Sequence, residues 1–179
     1  MLTETVNFIN SNDLTKKAEE AFLRHKALIT KVLPEADIQH VGSSAIPNSM
    51  TKGDLDLQVR VDAENFPNAV HELSRLYELN EGSTKTQSFR AFKDDSETPP
   101  LGVQLTVIDS EFDFFWEIRN VLLSNEKYRK KYDELKRKYE GKDMELYREE
   151  KNSFFEKLME TPEFLSLKTP NRSQMEEEE

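Results

Sequence analysis

The chain has 179 residues and no cysteine. That length fits one domain with an appended helical part and buries enough surface to fold without disulfides. A disulfide framework, a zinc–cysteine site, an iron–sulfur cluster and a thiol nucleophile are all excluded. The 25 basic and 35 acidic residues give a net charge of −10, and four of the acids are Glu176 to Glu179. An acidic body argues against a general nucleic-acid binder, which needs a net basic face to release counterions. No apolar run approaches the roughly 20 residues that span a bilayer. The start, Met1-Leu2-Thr3-Glu4-Thr5, has neither the basic nor the apolar region of a signal peptide. The expectation is a cytoplasmic protein with no membrane contact.

Residues 12 to 34 read as a helix. Leu14, Ala18, Phe22, Leu28, Ile29, Val32 and Leu33 recur at spacings of three and four, and Pro34 marks the end. Residues 36 to 109 read as mixed strand and helix. Ile38 to Val41 is a short strand ending at Gly42, and Ser44 is placed to open a short helix with Pro47 in its first turn. Asp54 to Val61 alternates: Leu55, Leu57, Val59 and Val61 face one way, Asp54, Asp56, Gln58 and Arg60 the other. A helix is expected over 65–79, with Val70, Leu73, Leu76 and Tyr77 as its buried stripe. Gln87 to Phe92 and Val103 to Ile108 are further strands, separated by a polar loop from Asp94 to Pro100.

Residues 112 to 160 read as helices. Phe112, Phe115, Trp116, Ile118, Leu122 and Leu123 dominate the first. Tyr128, Tyr132, Leu135 and Tyr139 form one stripe of the second, which Gly141 breaks. Leu146, Tyr147, Phe154, Phe155 and Leu158 mark a third. The domain expectation is a single unit over 1–160, with a core at about 12–109 and helices at about 112–160. A loosely ordered acidic tail follows over 161–179.

Chemistry concentrates in Gly42-Ser43 and, ten residues later, Asp54-Leu55-Asp56. Asp54 and Asp56 stand at i and i+2 of a strand, so both carboxylates leave one face with Cβ atoms roughly 6–7 Å apart. Such a pair is suited to a hard divalent cation such as Mg²⁺, which commonly shares its protein site with substrate phosphates. A Gly lets a phosphate approach the backbone, and the amides that follow it point at an anion. Gly42, Ser43 and Ser44 are therefore candidate phosphate contacts. Lys52, Arg90 and Lys93 are candidate cationic ones, Arg90 through bidentate hydrogen bonds.

Gly-Ser followed by Asp-x-Asp on the next strand resembles the nucleotidyltransferase superfamily of the DNA polymerase β type. The stretches His40-Val41-Gly42-Ser43-Ser44-Ala45-Ile46-Pro47 and Thr51-Lys52-Gly53-Asp54-Leu55-Asp56-Leu57 are more closely similar to the GrpB family. Arg119 and the run from Tyr132 to Lys136 support this. The resemblance implies an α+β fold: a nucleotidyltransferase-like mixed β-sheet flanked by helices, plus a C-terminal helical part. It implies catalytic and metal-binding roles for Asp54 and Asp56, with Mg²⁺ as cofactor and a nucleoside triphosphate as substrate. Active members of the superfamily place a third carboxylate on a later strand. Here the polar members of that strand are Gln104 and Thr106, and Asp109 is the nearest substitute.

Two functions remain open on the sequence. One is Mg²⁺-dependent transfer of a nucleotidyl group to a hydroxyl of a small molecule or protein. The other is a catalytically degenerate fold that binds a nucleotide or a protein. The basic run of Lys127, Arg129, Lys130, Lys131, Lys136, Arg137 and Lys138 reads as a solvated helix face, and Arg119 as one half of a salt bridge.

Overall fold

The computed structural model describes residues 3–167; the acidic end of the expected tail lies outside them. The strands are β1 (Ile9–Asn10), β2 (Asp37–Val41), β3 (Met50–Thr51), β4 (Leu55–Val61), β5 (Glu78–Leu79), β6 (Phe89–Asp94) and β7 (Leu101–Val107). The helices are α1 (Thr15–Val32), α2 (Phe66–Leu76), α3 (Phe115–Ser124), α4 (Glu126–Tyr139) and α5 (Met144–Leu158). The described residues form two compact units, one of Ile9–Trp116 and one of residues 3–8 with 117–167.

The first unit is built on a five-stranded mixed sheet in the order β2-β4-β7-β6-β5. β4 and β7 run parallel, and the other neighbours are antiparallel. Alternation divides the sheet into two unlike faces. On one, Leu55, Leu57, Val59 and Val61 of β4 lie beside Leu101, Val103, Leu105 and Val107 of β7, all buried. α1 covers them with Ala18, Ala21 and Ile29, and α2 with Phe66, Ala69 and Leu73. Each aliphatic side chain removed from water there contributes roughly 1.5–3 kcal/mol.

α2 is shorter than its sequence pattern predicts. Tyr77 is already extended, and residues 78–79 pair with β6 as a strand. The phenol explains the switch, because its hydroxyl meets buried His25 Nδ1 at 2.8 Å. β1 and β3 form a separate two-stranded ribbon that the sequence did not announce, two residues being too few for a period.

The other sheet face carries Asp56, Gln58 and Arg60 of β4, and its far half is closed by the segment after β7. Arg60 grips Asp113 with a two-point fork, Nε to Oδ1 and Nη2 to Oδ2, each at 2.7 Å. Its Nη1 reaches Asp37 Oδ2 at 2.7 Å, and its guanidinium lies 4.9 Å from the Trp116 ring centroid. Gln58 donates to Thr106 and Asp113 and accepts from the Trp116 backbone N–H. The hydrogen bonds to Asp113, and after them to Asp37, hold the Arg60 guanidinium pKa well above its usual value.

In the second unit, α4 and α5 meet through Tyr132 against Phe154 and Phe155 and through Tyr139 against Tyr147. Chain residues 4–6 hydrogen-bond to the α4–α5 turn, with Val6 N–H donating to Lys142 and Gly141 N–H to Val6. Val6, Met144 and Tyr147 form the local core. Lys136 departs from the solvated-face expectation. It is fully buried, with Nζ 3.6 Å from the Tyr132 ring centroid and 3.5 Å from Asp133 Oδ1, and burial lowers its pKa to about 8. Residues 162–167, expected to be loose, are helical. Pro162 sits in the first turn, where its missing N–H costs nothing. Thr161 Oγ1 accepts from the Phe164 N–H, and Phe164 is buried. Among the described residues no helix is long and apolar enough to cross a membrane.

Two outcomes are expected. Asp113→Ala leaves a guanidinium buried without its main partner, and denaturant titration should register a loss of about 3–5 kcal/mol. His25 is buried, and desolvation lowers its pKa from 6.5. The unfolded chain then binds more protons below pH 6.5 than the folded one, so stability is full above that pH and falls as pH drops through it. Thermal melts between about pH 7.5 and about pH 5.5 should show that decline, and His25→Gln should flatten it.

Candidate functional site

The near half of the polar face is built around Asp56. In register it lies between Val41 of β2 and Gly102 of β7. The next residue after Val41 is Gly42, so the Asp56 carboxylate stands in a slot between two glycines. A Cβ placed on Gly42 would sit 2.6 Å from Asp56 Oδ2, and one placed on Gly102 would sit 2.8 Å from Asp56 Oδ1. Gly42 also has φ 77°, a left-handed backbone that glycine alone adopts freely. Steric absence on both flanks is what lets each carboxylate oxygen occupy its place.

Around this slot the Gly-Ser turn is pinned. Residues Ser43–Ala45 make a single 3-10 turn rather than a longer helix. Ser43 Oγ donates to Thr51 Oγ1 at 2.9 Å, and the Gly53 N–H reaches the same oxygen at 3.2 Å. The turn before β4 is thereby joined to the turn after β2. Asp54 precedes β4 and lies 3.7 Å from Lys52 Nζ, with 39% of its side chain exposed. Gly42, Ser43, Lys52, Asp54 and Asp56 therefore belong to one neighbourhood, as their sequence pattern predicts.

Four expected members stand elsewhere or act differently. Ser44 is buried, and its hydroxyl meets His40 Nε2 at 2.9 Å, so it anchors the turn to β2 instead of facing a ligand. Arg90 pairs with Leu105, which puts it on the helix-covered face, where its guanidinium lies 5.9 Å from the Phe66 ring centroid and donates to the Thr86 carbonyl. A one-residue offset in register separates the two faces, so Arg90 does not clamp a phosphate beside Asp56. Lys93 pairs with Gly102 and shares the row of Asp56, two strands away at about 10 Å across the sheet. Its Nζ lies 3.0 Å from Asp95 Oδ2. Asp109 follows the opposite end of β7, roughly 20 Å from the Asp56 row at 3.3 Å per residue, so it cannot complete a metal site with Asp56. Arg119 donates to the Asn120 side-chain oxygen.

Two residues of the site were not singled out as such by the sequence. Gly102 stands inside β7, and a glycine within a strand is a signal of close approach by another group. Gln104, noted only for not being a carboxylate, follows two residues later on the same face. Its Nε2 lies 3.5 Å from the point where a Gly102 Cβ would stand, and its Oε1 is buried without a hydrogen-bond partner. Among the described residues no three His, Cys, Asp or Glu side chains gather around a point fit for a metal ion.

The model of the family described as GrpB protein matches residues 10–161, and the chain belongs to that family. A UPF0157 protein of Vibrio cholerae serotype O1 is 31% identical over 159 residues, covering 89% of this chain and 85% of that protein. The solved GrpB protein of Enterococcus faecalis superposes with a TM-score of 0.56 at 23% identity, over 68% of this chain and 76% of that one. Cid1 poly(U) polymerase with MgGTP bound gives 0.50 at 13% identity, over 72% of this chain and 42% of that one. A cytoplasmic RNA terminal U-transferase gives 0.50 at 15%, over 72% and 39%. These likenesses establish a nucleotidyltransferase-like fold.

The slot makes a direct prediction. Gly102→Ala should crowd only the end of the Asp56 side chain, leaving the melting temperature within a few degrees of wild type. Gly42→Ala meets both the clash and the positive φ, and should cost about 1–3 kcal/mol in a denaturant titration.

Proposed function

We propose that this member of the GrpB family binds a nucleoside triphosphate together with a divalent cation, Mg²⁺ in the cell, at the Asp54–Asp56 end of β4, and transfers a nucleotidyl group to a hydroxyl of a small molecule or protein. The observation that carries this is the glycine-flanked Asp56 carboxylate. The slot on either side of it is a cradle that any β-carbon would fill, and the orphaned Gln104 Oε1 is an acceptor waiting for a partner. The residues present fit a cation held by oxygen ligands.

Asp54 and Asp56 would hold the cation, which supplies neutralisation of phosphate charge. The Gly42–Ser43 backbone would admit the terminal phosphates at close range, and Lys52 would balance their charge from the side of Asp54. In the transfer, the acceptor oxygen bonds the α-phosphorus while the bond to the bridging oxygen breaks. Pyrophosphate leaves, and the hydroxyl proton passes to solvent. Positioning and charge stabilisation carry most of such a reaction. Support also comes from the nucleotides named with the Cid1 structures, which share the fold.

Binding without turnover is favoured by one observation. Across from Asp56, β7 offers Gly102 and then Gln104, so the neighbouring strand brings no carboxylate to serve as a base.

The test is thermal shift against ATP, GTP, CTP and UTP, with and without Mg²⁺, on wild type and Asp54→Asn/Asp56→Asn. Ligand at about 100 times its Kd should stabilise the folded chain by about 2.7 kcal/mol. A metal-dependent shift lost in the double variant is expected. Pyrophosphate release with added alcohols then separates transfer from binding. No shift with any nucleotide overturns the proposal.

A further inference from the structure

We infer that Gln104 is the third oxygen donor of the cation site, and that its neutral amide fixes the protein's share of the site at two negative charges. This rests on the proposed cation-binding role of Asp54 and Asp56 but not on the identity of the nucleotide.

Three observations meet here. Gln104 and Asp56 project from the same face of adjacent parallel strands, with Gly102 directly beside Asp56 in register. Gln104 Nε2 and Asp56 Oδ1 approach one common point above Gly102, at 3.5 and 2.8 Å from it. Gln104 Oε1 is shut off from solvent and accepts no hydrogen bond, although a buried amide oxygen left unmet costs about 1–3 kcal/mol. The neighbouring polar side chains of this face are differently engaged: Gln58 is fully satisfied by Thr106, Asp113 and the Trp116 N–H. A half-turn of the Gln104 amide exchanges its oxygen and nitrogen, so it can present the oxygen to a cation beside Asp56.

The chemistry is suited to this role. Amide oxygens ligate hard divalent cations alongside carboxylates. Two carboxylates and one amide balance a single dication, whereas three carboxylates would carry one charge more and bind it more tightly. Gln104 thus tunes the site toward a loosely held ion, taken up together with a polyanion that supplies the remaining oxygens.

The experiment measures binding of Mn²⁺ alone to the full chain, by electron paramagnetic resonance of the free ion, for wild type, Gln104→Glu, Gln104→Leu, Asp56→Asn and Gln104→Glu/Asp56→Asn. Circular dichroism melts accompany each. Gln104→Glu is expected to bind Mn²⁺ at least tenfold more tightly than wild type. Gln104→Leu is expected to bind several-fold more weakly. The gain of Gln104→Glu should vanish when Asp56→Asn is added. Equal affinity of wild type and Gln104→Glu overturns the inference, as does a gain that survives Asp56→Asn. Failure of the nucleotide proposal is distinguishable, because it would leave the Mn²⁺ series intact while every nucleotide shift is absent.

Discussion

The fork between Arg60 and Asp113 governs how the polar sheet face is used. A strand alternating apolar and polar residues ordinarily gives one face to the core and one to water. Here the second face is shared. At Gln58 and Arg60 it is sealed by the loop that carries Asp113 and Trp116, and a charged pair with 2.7 Å contacts replaces solvent. Two carboxylates, an aromatic ring and a backbone N–H satisfy the buried polar groups, which is the condition for burying a guanidinium at all. The other half of the face carries Asp56 between Gly42 and Gly102. Removing the fork would release the lid of the sealed half and loosen the floor on which the carboxylate stands.

The open half depends on missing atoms as much as on present ones. Asp56 is one residue of a seven-residue strand, and its neighbours on both flanks are the two positions where a side chain would strike it. Ser43, Thr51 and Gly53 then tie the two adjoining turns together through one shared hydroxyl. Gln104, two residues beyond Gly102 on the same face of β7, adds an amide beside this slot. Fold kinship, the carboxylate slot and an unmet acceptor are the three supports of the proposed site.

Much of this was legible in the sequence. The Asp54–Val61 alternation marks β4, its buried face and its acidic end, and the Gly-Ser pair marks the turn beside it. What escaped shares a physical cause: register. Arg90 and Lys93 both sit in β6, but odd spacing sends one to the helix-covered face and the other to the row of Asp56. Asp109 is close to β7 in sequence and at the wrong end of it in space, because β4 and β7 run parallel from the same edge. Lys136 carries a charge typical of an exposed helix face, yet its stem and ammonium are taken up by Tyr132 and Asp133. Composition reports none of these, since each is fixed by which strand or turn becomes the neighbour.

The anchoring of residues 4–6 on the α4–α5 turn has a consequence for chain entropy. Val6 is buried with Met144 and Tyr147, a contact between residues far apart in the chain. Residues 9–116, in contrast, are contiguous and hold all strands of the five-stranded sheet. A folded body brings its own two ends to fixed positions, whereas a flexible loop of that length must lose entropy to close. Order in residues 9–116 thus lowers the entropy that the Val6–Met144 contact has to overcome.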